Sequence, residues 1–277
     1  TRVESKNATC MALPTNQAIH PPRNEGDLMR IENEEQPFHP IYNYALITDS
    51  EEGLILVDVN TLADGLPRNN FLKRSLTWNE NNVLDGARHI TIAGHIVYIT
   101  TPDALVVLDL NDPLSPKLLN RIKMNDPRAS ALQFRYLLVT DKDGVKIFDA
   151  TSPNNIKSSP VAVVPLNDAR KVYIARTYAY VAAGKEGLAI IDVKNPEKPF
   201  INQIFTADGK INNAQDVIVG STNASLFAYV ADGKNGLKVI QLTAPDTQPR
   251  YYGFSPEPKP QLIAWWKTEY PALSLSK

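Results

Sequence analysis

A short hydrophobic phrase occurs five times along the chain, and it constrains the fold more than any other feature. The copies are YALITDSEEGLILVDV from Tyr44, VYITTPDALVVLDL from Val97, LLVTDKDGVKIFDA from Leu137, YVAAGKEGLAIIDV from Tyr180 and YVADGKNGLKVIQL from Tyr229. In each copy, β-prone residues lead into a polar turn and then into a second apolar run, which predicts a β-hairpin. The whole fold is therefore expected to be built from one repeated unit.

Two positions of the phrase carry its turn chemistry. The turn position holds glycine in four copies and alanine in one, at Gly53, Ala104, Gly144, Gly187 and Gly236. Glycine suits a tight reversal because it adopts positive φ at little steric cost, so the turn at Ala104 is expected to differ. The second run closes at Asp58, Asp109, Asp149, Asp192 and Gln241. An aspartate after a buried strand typically accepts amide hydrogen bonds from the next turn, which predicts a structural role for these carboxylates rather than a catalytic or calcium-binding one.

The spacing of the copies predicts the architecture. Successive closing positions, at residues 58, 109, 149, 192 and 241, are 51, 40, 43 and 49 residues apart. Further β-prone segments precede the hairpins, as in ARKVYIAR from Ala169, or follow them, as in KPFINQIF from Lys198, so each unit has four strands. Units of about 40 to 50 residues with four short strands are typical of propeller blades. We therefore predict an all-β fold, a β-propeller of four-stranded antiparallel blades with five recognisable repeats and five to seven blades in total.

The most regular form of the phrase is GLAIIDVKNPEKP at residues 187–199, and GLILVDV, ALVVLDL and GVKIFDA are looser copies of it. These segments resemble the LVIVD repeat of bacterial and archaeal extracytoplasmic or cell-surface propeller proteins. The resemblance covers roughly residues 40–255, and Gln241 departs from its acidic position. It implies a propeller outside the cytoplasm, in a family without a settled biochemical activity. Some members are attached to multihaem cytochromes or surface-layer modules, which implies a cytochrome or surface-layer complex as a candidate partner.

The two ends of the chain read differently from the repeats. Residues 1–34 are rich in charge and proline with little apolar alternation, so we predict an N-terminal extension followed by the propeller at residues 35–255. Residues 256–277 form a C-terminal tail that is expected to supply a ring-closing strand together with the N-terminal segment. Its Trp265 and Trp266 are candidate partner-binding residues, and the open alternative is that they cover the side of the propeller itself.

Composition excludes several classes of function. The formal net charge of −1 provides no basic field for a nucleic-acid backbone or an anionic membrane. Cys10 is the single cysteine, which excludes internal disulfides, a four-cysteine zinc site and covalent haem attachment. No apolar run reaches the roughly 18 to 20 residues of a membrane-spanning helix. The four histidines show no metal-ligand spacing, and no nucleophile, Walker or dinucleotide motif appears, so no catalytic residue, metal ligand or cofactor is predicted.

One candidate ligand site lies where the innermost strands begin. Aligning the repeats places Arg88, Arg128, Arg170 and Gln215 in equivalent positions, with His89 beside the first of them. In a propeller, these positions line the mouth of the central channel. Converging arginines repel one another unless they are neutralised, and two sources of negative charge are open. One is internal, from Asp85, Asp126 and Asp168, and the other is an anionic ligand or a carboxylate of a partner.

A second candidate is a contact surface between the first two repeats. The segment TLADGLPRNNFLKRSLTWNENNV, at residues 61–83, is the most loop-like insertion of the chain. Its candidate partner-binding residues are Arg68, Lys73, Arg74 and Trp78. From these features we predict a non-enzymatic extracytoplasmic propeller that acts as a protein-interaction scaffold or surface-associated binding module. The alternative is an accessory subunit or domain of a multihaem-cytochrome electron-transfer assembly, or of another redox or hydrolytic assembly, with the redox centre on another chain.

Overall fold

The computed structural model of the chain describes residues 2–14, 38–62, 66–222, 224–246 and 253–276. These residues form five β-sheets, and each sheet is an antiparallel meander of four strands that follow one another in the sequence. Each of the five repeated phrases forms the second and third strands of one sheet. The predicted all-β class and the four strands per repeat are therefore confirmed. The chain divides into two compact units, residues 1–127 with 152–158 and residues 128–151 with 159–277.

The described residues of the first unit form two sheets and five short 3-10 helices. Its first sheet consists of β1 (Ala8–Ala12), β2 (Tyr44–Asp49), β3 (Gly53–Asp58) and β4 (Lys73–Trp78). Its second sheet consists of β5 (His89–Ala93), β6 (Ile96–Thr100), β7 (Ala104–Asp109) and β8 (Lys117–Lys123). The 3-10 helices are Pro40–Asn43, Asn60–Leu62, Pro67–Asn69, Glu80–Asn82 and Pro153–Asn155.

The second unit contains three sheets. The third sheet consists of β9 (Ala129–Gln133), β10 (Tyr136–Asp141), β11 (Gly144–Asp149) and β12 (Ala162–Pro165). The fourth consists of β13 (Lys171–Ala175), β14 (Tyr178–Ala182), β15 (Leu188–Asp192) and β16 (Phe200–Phe205). The fifth consists of β17 (Asp216–Thr222), β18 (Ser225–Ala231), β19 (Leu237–Thr243) and β20 (Gln261–Trp266).

The core lies between neighbouring sheets within each unit. In the fourth sheet, for example, β15 buries Leu188 and Ile190 against the fifth sheet and Ala189 and Ile191 against the third. A strand that is apolar on both faces cannot face water, so each sheet needs a neighbour to cover it. This explains why the third strand of the repeat reads as a continuous hydrophobic run.

The turns follow the chemistry predicted from the sequence. Gly53, Gly144, Gly187 and Gly236 all have positive φ, whereas Ala104 does not. A Cβ at Gly236 would lie 2.0 Å from the carbonyl oxygen of Trp266, so the turn also presses against the outer strand of its own sheet. The closing aspartates each accept a hydrogen bond from the amide two residues later, as in Lys194 N to Asp192 Oδ1 at 2.9 Å. Their predicted structural role is confirmed.

Two strands lie outside the repeat region predicted at residues 35–255. Ala8–Ala12 lies inside the predicted N-terminal extension but forms β1, which pairs with β2. Gln261–Trp266 lies inside the predicted C-terminal tail but forms β20, which pairs with β19. Each end therefore completes the sheet of its own unit, and the two ends do not share a sheet. The segment missed at residues 8–12 is a single short strand far in sequence from its partner, so no local hairpin pattern marks it. Residues 15–34 lie outside the described residues.

The segment at residues 61–83 also requires correction, because it is not a loop throughout. Lys73–Trp78 forms β4, the fourth strand of the first sheet, with residues 54–58 of β3 as its partner. Leu76 and Trp78 pack against the core, whereas Lys73 and Thr77 are exposed. Partly buried and exposed residues are thus both present along β4. The segment still looks like a loop by composition, because the residues on either side of the strand are mostly polar. Residues 63–65 lie outside the described residues.

Candidate binding sites

The arginines at the starts of the innermost strands are neutralised within the chain. In the first unit, Arg88 Nη1 lies 2.5 Å from Asp126 Oδ1 and 3.2 Å from the carbonyl oxygen of Pro127. Each partner belongs to the start of the next repeat, about 40 residues along the chain. All of these atoms lie in the first unit, and the contact between Arg88 and Asp126 is a charge-assisted hydrogen bond.

The same arrangement occurs in the second unit, where one carboxylate serves two arginines. Arg128 Nη1 contacts Asp168 Oδ1, and Arg170 Nη2 lies 2.7 Å from Asp168 Oδ2. Burial alone would raise the pKa of Asp168, but the hydrogen bonds from Arg170 and Arg128 outweigh it and hold that pKa below its ordinary value. Arg170 Nη1 also donates to Asn213 Oδ1 at 3.1 Å, and Gln215 Nε2 donates to the same oxygen at 2.9 Å.

The internal source of negative charge is therefore present for all three arginines. Of the three aspartates expected to supply it, Asp126 and Asp168 do so, while Asp85 accepts a hydrogen bond from Asn79. His89 is half-buried at the first position of β5. The convergence of these positions on a channel mouth, and their binding of a ligand, stay predictions.

The candidate residues between the first two repeats have separate roles in the first unit. Arg68 is exposed in the 3-10 helix Pro67–Asn69, and Lys73 is exposed at the start of β4. Arg74 forms an ion pair with Glu52, with 2.8 Å between Nη2 and Oε1. Trp78 is half-buried against the core of the first two sheets. An ion-paired arginine and a core tryptophan are poor anchors for a partner, and a contact surface formed by these four residues stays a prediction.

The two C-terminal tryptophans are exposed on the outer strand of the fifth sheet. Trp265 is 61% exposed and Trp266 is 72% exposed. β20 pairs with β19 on one side and is the last strand of its sheet. Of the two interpretations drawn from the sequence, the exposure within this unit agrees with a docking element rather than with a covered core position.

A groove that the sequence interpretation missed lies beside Trp265. It has a volume of about 500 Å³, and we call it the lysine groove after the residues that define it: Lys210, Lys234, Asn235, Lys238, Trp265 and Lys267. Lys210 Nζ lies 5.5 Å from the centre of the Trp265 ring, within range of a cation–π interaction. Lys210, Lys234 and Lys267 are exposed at its rim, and Lys238 is buried at its floor.

The fourth sheet has an equivalent groove with a different charge. This groove has a volume of about 490 Å³, and we call it the acidic groove, defined by Lys142, Asp143, Asn167, Glu186, Ile201 and Ile204. The repeats align Glu186 with Asn235, because both precede the turn glycine. They also align Ile204 with Trp265. Ile204 pairs with Ala189, and Trp265 pairs with Lys238. Ala189 and Lys238 each lie two residues after the turn glycine, at the same position of the third strand.

A hydrogen bond joins the same two positions in both grooves, the turn and the loop that precedes the sheet, but its direction is reversed. In the acidic groove, Asn167 Nδ2 donates to Glu186 Oε1. In the lysine groove, Asn235 Nδ2 donates to Asn212 Oδ1 at 2.8 Å. An amide thus replaces a carboxylate at the same contact. Aligning the fourth and fifth phrases, KEGLAI and KNGLKV, shows the change from Glu186 to Asn235 in the sequence. The presence of Lys210 and Lys267 in the same groove is seen only in the structure.

No three histidine, cysteine, aspartate or glutamate side chains of the described ranges are grouped as ligands of a metal ion would be. In the same ranges, no helix combines the length and the hydropathy that a bilayer crossing requires.

Comparison with known proteins identifies the repeat and the fold. The family model of the LVIVD repeat matches residues 42–63, 86–123, 167–206 and 213–245, while the third phrase, from Leu137, lies outside these segments. No curated protein matches the chain significantly.

The solved structures that are similar to the chain include a natural and a designed protein. A functionally unknown protein from Desulfotomaculum acetoxidans superimposes with a TM-score of 0.60 at 11% identity, over 84% of this chain and 70% of that one. The computationally designed protein Ika8 superimposes with a TM-score of 0.50 at 12% identity, over 71% of this chain and 55% of that one. This chain thus spans little more than half of the designed protein. At such identities the likeness concerns the fold alone. Because each repeat forms one four-stranded antiparallel sheet, the fold class is that of a β-propeller.

Proposed function

The chain belongs to the LVIVD-repeat family, and on that premise we propose that it is a non-enzymatic extracytoplasmic binding module that holds a protein partner at the outer strand of its fifth sheet. The partner surface is centred on Trp265 and Trp266. The sheets supply a stiff support, and the chemistry of binding lies in the residues that the repeat leaves free to vary.

The observation that carries this proposal is the exposure of two adjacent tryptophans on a strand edge. Tryptophan is enriched among the residues that dominate binding energy, because its ring buries a large area with little loss of conformational entropy. An unpaired edge strand attracts other strands, and proteins usually protect it with charged residues. β8 follows that rule with Lys117, Arg121 and Lys123, whereas β20 presents Ile263, Trp265 and Trp266.

The location outside the cytoplasm rests on the family resemblance, which also supports a cytochrome or surface-layer complex as the partner. The alternative, an accessory subunit of a multihaem-cytochrome or other redox or hydrolytic assembly, stays a prediction from the same resemblance. Fractionation of source cells, with an antibody to the chain, tests the compartment: the protein is expected in the envelope or the medium. Recovery in the cytoplasmic fraction would contradict this part of the proposal.

The binding surface is tested by cross-linked pull-down from the envelope fraction with three proteins. These are the wild type, the double variant Trp265→Ala/Trp266→Ala, and the control Phe134→Ala, which removes a 92%-exposed aromatic side chain elsewhere in the same unit. A partner held by the wild type and the control but lost by the double variant is the expected result. A partner retained equally by all three proteins would contradict the proposed surface, as would the absence of any specific partner.

A further inference from the structure

We propose that the lysine groove receives carboxylate side chains from an extended acidic segment of the partner, whose backbone pairs with the edge of β20 that no described strand occupies. This inference rests on the proposed function, because it names the chemistry of the partner at the same strand. In this proposal the two tryptophans are one part of a larger binding site, and the lysines of the groove make that site specific for an acidic segment of the partner.

The first argument is the uncompensated charge at the rim of the groove. Lys210, Lys234 and Lys267 are exposed, and none of them forms an ion pair with any residue that the structure describes. The groove is lined by no acidic side chain of the described ranges. Three ammonium groups around one concave surface repel one another and attract an anion, and the concave shape strengthens the field.

The second argument is the buried pair at the floor of the groove. Asp232 is fully buried, and its Oδ2 atom has no hydrogen-bond partner in the described part of the chain. Lys238 is 4% exposed, and its Nζ atom lies 3.9 Å from that oxygen and donates to the carbonyl oxygen of Asn235 at 2.6 Å. In the third sheet the corresponding pair, Lys146 and Asp141, is in direct contact.

This separation leaves donor capacity at the floor. An ammonium group has three N–H donors, and the described residues account for one of them at Lys238. A buried ammonium with unused donors is costly, and a carboxylate that enters the groove supplies the missing acceptor. The groove therefore combines rim cations that attract an acid with a floor cation that gains a hydrogen bond from it.

The third argument is the acidic groove, where the chain supplies its own carboxylate. Glu186 accepts hydrogen bonds from the side-chain amide of Asn167 and, at 3.3 Å, from its backbone amide. At the equivalent position of the lysine groove stands Asn235, which is neutral. The carboxylate that fills this position in the fourth sheet is thus absent in the fifth, and a carboxylate of a partner takes its place.

An extended peptide fits this surface better than a small inorganic anion. β20 is a strand whose outer edge offers backbone donors and acceptors, which is the usual template for strand addition. In an added strand, alternate side chains point to the same side, about 7 Å apart, so acidic residues at every second position reach the groove. The exposed face of Trp265 packs against the aliphatic part of a glutamate. Among the described residues, the basic side chains that line the groove are all lysines, whereas the planar fork of arginine is preferred for phosphate.

The test is calorimetric titration of the full chain with a capped peptide of alternating glutamate and threonine, Glu-Thr-Glu-Thr-Glu-Thr-Glu. We expect saturable binding that weakens at high salt, and no binding of the matched peptide with glutamine in place of glutamate. Asn235→Glu should weaken binding at least about tenfold, because it places a like charge at the carboxylate position. This variant recreates the KEG turn of the fourth sheet, so it is expected to fold, and its urea midpoint checks this. Lys142→Glu, in the acidic groove, is the control and should leave the affinity unchanged.

Three outcomes would overturn the inference. The first is equal affinity of the wild type and Asn235→Glu for the glutamate peptide, and the second is no binding of that peptide at all. The third is binding of sodium tripolyphosphate, sensitive to Asn235→Glu, in place of the peptide, which would assign the groove to phosphate ligands. The proposed function fails separately, in the pull-down with Trp265→Ala/Trp266→Ala, because that experiment uses the native partner and does not depend on the peptide.

Discussion

The acidic groove and the lysine groove occupy the same position of two successive repeats, yet their charges differ in sign. Both include the turn of one sheet, the loop that precedes that sheet and its outer strand, and the acidic groove also includes Lys142 and Asp143 from the turn of the third sheet. Between the fourth and the fifth sheet, Glu186 is replaced by Asn235, Ala189 by Lys238 and Ile204 by Trp265. The turn and the loop stay linked by a hydrogen bond in both grooves, with donor and acceptor exchanged, while the charge of the groove changes sign.

The fifth repeat also lacks an acidic residue just before its innermost strand, where the fourth repeat has one. Asp168 corresponds to Asn213, and Arg170 corresponds to Gln215. Asn213 still accepts from Arg170, so the contact between repeats survives without its ion pair. Between the two repeats the turn glycine is kept, whereas these polar positions lose their charge and still form a hydrogen bond. Function is therefore expected where the polar positions diverge, which is the fifth sheet.

The largest effect is expected from breaking what the grooves share, the turn glycine. Gly236→Ala places a Cβ against the carbonyl oxygen of Trp266 at 2.0 Å, in a backbone conformation with φ of +79°. We expect a loss of about 2–4 kcal/mol in the free energy of unfolding, measured with urea. Gly209→Ala is the control: its φ is +82°, but nothing lies within 4 Å of the added Cβ, so a loss of about 1 kcal/mol is expected. Equal losses would show that the close approach is unimportant.

The next effect concerns the buried cation that distinguishes the lysine groove. Lys238→Met leaves the fully buried Asp232 without its cation, and we expect a loss of about 2–3 kcal/mol in the free energy of unfolding. The exposed rim residue offers a matched control, since Lys234→Met should change stability by less than about 0.5 kcal/mol. If the two variants lose the same amount, Lys238 does not neutralise a buried charge.

A smaller effect on stability is expected from replacing Asp168, the carboxylate that pairs with two arginines, by the asparagine found at the equivalent position of the fifth repeat. Asp168→Asn copies Asn213 and removes the ion pairs to Arg128 and Arg170, which are partly exposed, so a loss of about 1–2 kcal/mol is expected at neutral pH. The pKa of Asp168 is lowered in the folded chain. Its contribution to stability is therefore complete above the ordinary value of 3.8 and is lost as the pH falls through the lower, folded-state pKa.

The measurement for Asp168 is urea unfolding as a function of pH. The difference between wild type and Asp168→Asn should be constant at neutral pH and shrink in acid, once the wild-type carboxyl group is protonated. A difference that stays the same down to the lowest accessible pH would contradict the ion-pair interpretation.

The smallest effect is expected from neutralising the acidic groove. In Glu186→Gln the side-chain oxygen still accepts from the amide of Asn167, so the free energy of unfolding should fall by less than about 1 kcal/mol. Glu186→Ala removes the acceptor and should cost more than the glutamine variant. If the glutamine variant is as unstable as the alanine variant, the charge of Glu186 matters more than its hydrogen bond, and the grooves are less interchangeable than their geometry indicates.

The sequence predicted the parts of this fold whose causes are local. Gly187 marks a turn and Asp192 caps the next one through contacts within a few residues, so the repeated hairpin could be recognised without coordinates. β1 was missed because its partner lies more than 30 residues away and no turn connects the two directly. The lysine groove was missed for the same reason, since Lys210 and Lys267 are distant in sequence and meet only through folding.

By itself, the sequence determined the hairpin, the four strands per repeat and the need of each sheet for a neighbour, because alternation, glycine turns and double-sided apolar strands act over short stretches of chain. The tertiary structure alone decided which charges are neutralised. It brings Arg128 to Asp168 across some 40 residues and leaves Lys234 and Lys267 without an acid in the described part of the chain. Coulombic pairing depends on distance in space, and that distance is set by how the sheets pack.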